Sequence, residues 1–221
     1  MAKEKKEMTQ EMIDASFDDA CCGSMLCCND DYDNTEMYDD FDDDFMGSDN
    51  AEIGYIAPDF YLDGYYEGKQ EKFTLSQYEG KWIVLFFYPL DFTFVCPTEL
   101  QELSKRHKEF EKIDAQVLGI STDSVFSHQA WSEGKLGKLN YPLISDFTKE
   151  TSMDYNVLHA DGMALRGTFI IDPEGVLQSY TINNLNVGRN IDEILRTIKA
   201  LKTGELVQCG WKEGDKTLGE A

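Results

Sequence analysis

Basic residues are scarce in this chain. Twenty Lys and Arg stand against 42 Asp and Glu, a formal net charge of -22 over 221 residues. A surface so acidic repels a phosphate backbone, which excludes nucleic-acid binding as the main task. Long apolar runs are also missing. The longest, Trp82 to Leu90, has the length of a strand and falls well short of the ~20 residues that a membrane helix takes. The opening residues, MAKEKKEMTQEM, contain no apolar core of the kind a signal peptide needs. The expectation is therefore a cytoplasmic protein without a membrane span, its six cysteines read as thiols and not as a disulfide scaffold. Histidine is equally sparse. His107, His128 and His159 match no metal-ligand or Cys–His spacing and are read as structural or surface residues.

The acidity is uneven. Residues 1–50 hold 16 Asp and Glu against 3 Lys, and Asp30 to Asp49 is rich in Asp with interspersed Asn, Tyr, Phe and Gly, without helix or strand period. Such a run repels itself and buries too little apolar surface to offset the entropy of ordering. Residues 1–50 are thus expected to be a disordered acidic tail, and 51–221 a globular domain. The tail contains Cys21, Cys22, Cys27 and Cys28. Their spacing is no standard zinc pattern. Redox-tolerant thiols are the simpler reading, beside a soft-metal site for Cu(I) or Zn, or a second redox relay.

Past residue 51, strand and helix signals alternate. Trp82 to Tyr88 is a continuous apolar run, as expected for a strand buried on both faces. Leu100, Leu103 and Phe110 then mark one helix face, with Pro97 suited to the first helical position and Glu99 to the first turn. Ala115 to Ile120 and Tyr141 to Ser145 read as strands, and Ser124 to Trp131 as a helix. Gly167 to Ile171 and Val176 to Ile182 flank the turn signal Asp172-Pro173-Glu174-Gly175 and form a hairpin. Ile191, Ile194, Leu195, Ile198 and Leu201 mark an amphipathic helix, capped by Asn190 and stopped by Gly204. This order predicts an α/β fold with a mixed, partly antiparallel central sheet flanked by helices.

Cys96 follows a buried strand and a short loop and sits at the mouth of a helix. The partial positive charge there favours thiolate over thiol. Lowering a free thiol by about 2 pH units requires roughly 3 kcal/mol of differential stabilisation. One helix end supplies about 0.3–1 kcal/mol, so a nearby Arg is the natural supplement. On position alone, a reactive thiolate and a small buried hydrophobe are both open.

The surrounding residues separate the two. Pro89-Leu90-Asp91-Phe92-Thr93-Phe94-Val95-Cys96-Pro97-Thr98-Glu99 closely resembles the active-site loop of peroxiredoxins. The resemblance runs from about Ile56 to Trp211. It includes Ala57-Pro58-Asp59-Phe60, Gly119 to Ser124, Arg166 to Asp172 and Asn186-Val187-Gly188-Arg189. It implies a thioredoxin-like fold with added elements and a thiol peroxidase of the typical 2-Cys kind, serving antioxidant defence without cofactor or metal. Cys96 would be the peroxidatic residue. Thr93 would hydrogen-bond the thiolate and the peroxide, Pro89 would shield the pocket, and Arg166 would stabilise the developing charge. Glu99 and Arg189 would orient Arg166. The partners implied are a hydroperoxide, a thioredoxin-like reductant and a second copy of the chain, as a homodimer or a ring of dimers.

Two departures accompany the resemblance. Near the C-terminus the family reads roughly Gly-Glu-Val-Cys-Pro-Ala-Gly-Trp, whereas this chain reads Gly204-Glu205-Leu206-Val207-Gln208-Cys209-Gly210-Trp211. Cys209, two residues late, is the candidate resolving thiol; a tail cysteine or an external thiol is the alternative. Gly134-Lys135-Leu136-Gly137 resembles the Gly-Gly-Leu-Gly loop of oxidation-sensitive members, but no Tyr-Phe pair follows. The expectation is a loop that opens readily and an enzyme that resists overoxidation to sulfinic acid. Three rival functions stand beside it: a metal-buffering or interaction protein acting through the tail, a holdase chaperone, and a thioredoxin-type disulfide oxidoreductase. The last needs a Cys-x-x-Cys pair, and this chain has none after a strand.

Overall fold

A computed structural model describes residues 50–220. Seven strands form one sheet: β1 (Tyr61–Tyr66), β2 (Lys69–Thr74), β3 (Trp82–Phe87), β4 (Ala115–Ser121), β5 (Leu143–Ser145), β6 (Arg166–Ile171) and β7 (Leu177–Asn183). Their order across the sheet is β2-β1-β5-β4-β3-β6-β7. β3, β4 and β5 run parallel to one another, and the other neighbours pair antiparallel. This is the mixed α/β sheet expected. The helices are α1 (Cys96–Lys105), α2 (His107–Lys112), α3 (Val125–Glu133), α4 (Glu150–Asp154) and α5 (Ile191–Leu201).

The apolar run of β3 is buried because the sheet is covered on both sides. Val84 and Phe86 enter one cluster, with Leu100, Leu103 and Phe110 of α1 and α2 and with Ile191, Ile194, Leu195 and Ile198 of α5. Ile83, Leu85 and Phe87 point the other way, into a cluster with Phe60, Leu118, Tyr155, Val157 and Phe169. Alternation along a strand thus splits one apolar run between two half-cores. The α5 stripe falls on the first face as its period requires. The Asn190 side chain accepts from the Asp192 amide, and Gly204, at φ +65°, donates to Leu201 O past the helix end.

Several expected bounds shift. Cys96 itself opens α1, so Pro97 takes the second helical position and not the first. The expected long helix breaks at Arg106 into α1 and α2. Ser124 lies outside α3 as its cap, accepting from the Ser127 amide. The expected strand from Tyr141 is only three residues long, starting at Leu143. A further hairpin, of β1 and β2, lies outside the expected elements. Glu67 and Gly68, both at positive φ, turn the chain between them. β2 reads Lys-Gln-Glu-Lys-Phe-Thr and is an exposed edge, the charged composition that protects edges from pairing with other chains. Among the described residues, no helix is long and apolar enough to cross a membrane. The tail cysteines lie outside the described residues.

Candidate active site

The parallel core strand β3 ends at Phe87, and the chain turns through Pro89 to Val95 into α1. Antiparallel pairing of β6 on β3, with Phe86 opposite Thr168, brings Arg166 and Gly167 to that same end of the sheet. Gly188 and Arg189 arrive there from the loop before α5. Sequence residues far apart therefore converge because one strand end and two loop ends share an edge of the core.

Cys96 has no exposed surface. Arg166 Nη1 lies 3.5 Å from its Sγ and donates at 2.7 Å to Glu99 Oε2, one helical turn on. Arg166 Nε is fixed at 2.8 Å by Leu185 O. Arg189 grips the same carboxylate: Nε donates to Oε1 at 3.0 Å, Nη2 to Oε2 at 3.2 Å, and its backbone amide to Oε1 at 2.8 Å. Arg189 Nη1 reaches Gly167 O and Thr168 Oγ1 at 2.6 and 3.2 Å, and its guanidinium lies 3.2 Å from the Phe86 ring centre. Glu99, Arg166 and Arg189 are all nearly inaccessible to solvent. They are therefore not a surface pair, which would contribute little. Burial pulls the Arg189 guanidinium down to about 10, with Glu99 pulling back, and it stays cationic at neutral pH. Two guanidiniums and one carboxylate leave this buried set at net +1. A thiolate at Cys96 brings it to zero.

The other expected residues divide. Pro89 is buried beside the site, at the end of β3. The Thr93 hydroxyl donates at 2.9 Å to Leu90 O, so its proton is engaged within the loop and not on the sulfur. At the start of α1 the amides of Thr98 and Glu99 both donate to Val95 O. Cys209 is exposed and, like Cys96, free. Its turn is held together by buried Trp211, which donates its amide to Gln208 O and its indole N–H to Asp215 O, and is pinned to α5 by Arg196, which reaches Trp211 O, and by Lys199, which pairs with Glu213. The structure thus brings Cys96, Glu99, Arg166 and Arg189 together, with Pro89 and Thr93 on the adjoining loop. It leaves Cys209 on the surface.

Sequence reading missed a second buried polar group under the same loop. Asp91 accepts from Tyr88 Oη at 2.9 Å and Ser127 Oγ at 2.7 Å, and faces His128 Nδ1 at 2.9 Å. Its backbone amide donates to Asp123 Oδ2 at 2.9 Å. His128, read as structural or surface, is wholly buried. Neither residue signals this in the sequence: Asp91 is one acid in the loop after β3, and only the fold sets His128 beside it. Among the described residues no group of three His, Cys, Asp or Glu is arranged to hold a metal ion.

Residues 53–180 match the AhpC/TSA family. The chain is 54% identical over 177 residues to a chloroplastic 2-Cys peroxiredoxin of Spinacia oleracea, covering 75% of this chain and 67% of that protein. To peroxiredoxin-2 of Mus musculus it is 49% identical over 183 residues, covering 78% and 92%. The crystal structure of reduced 2-Cys peroxiredoxin from Plasmodium vivax superposes with a TM-score of 0.73 at 38% identity, covering 75% of this chain and 91% of that one.

Proposed function

The chain belongs to the AhpC/TSA family of peroxiredoxins and is a thiol peroxidase, and from that premise we propose that Cys96 is its peroxidatic sulfur and Cys209 its resolving one. The observation that carries this reading is the buried Arg166 guanidinium, shared between Cys96 Sγ at 3.5 Å and Glu99 at 2.7 Å.

The Cys96 thiolate attacks one peroxide oxygen. The O–O bond breaks, water or an alcohol leaves after taking a proton, and the sulfur becomes a sulfenic acid. Arg166 stabilises charge spreading over the peroxide oxygens. Arg189 and Glu99 fix Arg166 before reaction, so little reorganisation accompanies the attack. Pro89 keeps water from the sulfur. The Thr93 hydroxyl, held by Leu90 O, offers its oxygen lone pairs to the proton of the bound peroxide. Cys209 of a second copy then displaces the sulfenic hydroxyl as water and forms a disulfide. A thioredoxin-like dithiol reduces that disulfide by exchange. The two-residue displacement of Cys209 is compatible with this role, since exchange requires access to the sulfur and Cys209 is exposed.

The domain from 51 to 221 would carry this chemistry without residues 1–50, consistent with a family match that begins at residue 53. A homodimer is the smallest assembly that supplies Cys209 to Cys96, and a ring of dimers is compatible with it. A reducing compartment suits these thiols, and the cytoplasm is the one proposed. Peptide mapping on non-reducing gels after one equivalent of peroxide tests the reading. A Cys96–Cys209 link between chains supports it, and Cys209→Ser then consumes one equivalent and stalls. Undiminished peroxide consumption by Cys96→Ser would refute it.

A further inference from the structure

The buried group around Asp91 has no part in the reaction just described, yet it sits at the other end of the loop that carries Cys96. Its chemistry is restrictive. His128 Nε2 lies 3.2 Å from Ile144 O, which only accepts, so Nε2 bears a proton. Nδ1 lies 2.9 Å from Asp91 Oδ2, and the two groups hold one further proton in common. Tyr88 and Ser127 donate to the same carboxylate. Asp91 is therefore satisfied by Tyr88, which follows β3, and by Ser127 and His128 of α3, and its amide is tied to Asp123, which follows β4. Carrying Asp91 along with an opening loop would break all of these bonds at once.

Cys96 must move. A sulfur with no exposed surface cannot bond to an exposed Cys209, so the segment around it has to open for the disulfide to form. Glu99, gripped by Arg166 and Arg189, limits that opening downstream. Asp91 limits it upstream. Between these two anchors lies the stretch from Phe92 to Thr98. Three residues extend over roughly 10 Å, about twice their helical span, so Cys96 can swing out while Glu99 stays in place. Phe92 stands immediately after the upstream anchor at φ +56°, a strained conformation for a bulky residue, with its ring 5.7 Å from that of Trp131. Strain placed next to a fixed point concentrates the opening there.

We propose that Asp91 and His128 are a positioning pair for the peroxidase reaction. They fix the upstream limit of loop opening and so set how oxidised Cys96 divides between the disulfide and further oxidation. This deepens the reading of Cys96 given above and rests on it. A weaker anchor gives a loop that spends more time open. The open loop favours the disulfide, while the closed pocket is where a second peroxide meets the sulfur.

Hydrogen exchange on the full reduced chain tests the anchor apart from any redox chemistry. Ser127→Ala removes one bond to Asp91 from a partly exposed position, and His128→Gln removes the shared proton. Exchange of the Thr98 and Glu99 amides should rise roughly tenfold in Ser127→Ala, the loss of one hydrogen bond to a charged group, and further in His128→Gln. Amides of α5 should not change. Nitrogen-15 spectra of the wild type should show His128 protonated at Nε2. Mass spectrometry under rising peroxide should show severalfold less Cys96 sulfinate in both variants and proportionately more disulfide. Faster exchange spread evenly over the domain, or none at 98 and 99, overturns the proposal, as does an unchanged division of products. Should His128→Gln not fold, Ser127→Ala decides alone. A wild type that forms no oxidised Cys96 would instead sink the functional reading, leaving the exchange result to judge the anchor.

Discussion

Consider the ion cluster with Glu99 and Arg189 altered singly and together. Glu99→Gln keeps the side-chain shape but turns one carboxylate oxygen into an amide donor. Both oxygens now accept guanidinium N–H groups, so either orientation of the amide places donor against donor. The anion between two buried cations is also lost. Breaking a buried pair in this way costs about 3–5 kcal/mol, a large share of the ~5–15 kcal/mol that holds a typical domain. For a domain of this size the melting temperature should fall by roughly 10 °C. Arg189→Met leaves Glu99 paired with Arg166 and with the backbone amide at 189, but removes the bonds to Gly167 O and Thr168 Oγ1 and the stacking on Phe86. About 3 kcal/mol is expected. Part of each penalty comes from stranding the other charge, so the double variant should cost about 1–3 kcal/mol less than the two singles combined. Urea unfolding of all four reduced proteins at pH 7 measures this directly. Additivity within ~0.5 kcal/mol would show that the two groups do not act on one another, and the account of Arg166 as a side chain held in advance by this cluster would fail.

Other perturbations follow from the same geometry. Burial and the neighbouring charge of Asp91 raise Asp123 from its ordinary 3.8, so its ionised form costs stability above its folded titration and that cost fades as pH falls through it. Asp123→Asn, whose amide oxygen still accepts the existing bonds, should therefore melt above wild type at pH 8 and lose that advantage in acid, where Asp123 itself takes up a proton. Gly167→Ala would place a Cβ 2.7 Å from Val157 Cγ1 and 2.8 Å from Phe169 Cε2, both in the core. Thermal unfolding should show about 1–3 kcal/mol lost, and initial rates should fall as Gly167 O moves off Arg189. Trp211→Ala should release the Cys209 turn from α5. Rapid-quench sampling should find slower disulfide formation with the first oxidation of Cys96 unchanged.

The site was more legible than the fold's margins, for a physical reason. In a linear reading Cys96 stands out by position, after a buried strand and at the mouth of a helix, whereas Glu99, Arg166 and Arg189 are legible only through the resemblance of the motifs that contain them. What that reading could not supply was burial. Taken singly, Arg166 and Arg189 look like surface charges; only the pairing of β6 with β3 and the course of the loop before α5 reveal that both face Glu99 inside the core. β3 and α5 were legible because their periods are strong, Trp82 to Phe87 without a break and Ile191 to Leu201 at helical spacing. β2 was not, because an edge strand is built from the charged residues that also make loops. Asp91 and His128 are not legible as a pair in the sequence. Each is unremarkable at its own position, and the pair exists only because α3 packs beneath the nucleophile loop.

The charge of the cluster also dictates what each oxidation state of Cys96 should do to the loop. Glu99, Arg166 and Arg189 together leave one positive charge, and a thiolate cancels it. A protonated sulfenic acid is neutral, so oxidation removes the attraction that holds Cys96 in place, and opening should follow chemistry in that order. A sulfinate is an anion again and should be drawn back into the closed pocket. Substitutions can stand in for these states without peroxide. Cys96→Ser carries a neutral oxygen, as the sulfenic acid does, and Cys96→Asp carries an anion. The Asp variant should keep the amides of Thr98 and Glu99, which donate to Val95 O, roughly ten- to a hundredfold better protected from exchange than the Ser variant, the range expected of one or two charge-assisted hydrogen bonds to Arg166. If serine protected those amides as well as aspartate did, the buried cations would not be sensing charge at position 96, and opening would have to be driven by the shape of the oxidised side chain alone.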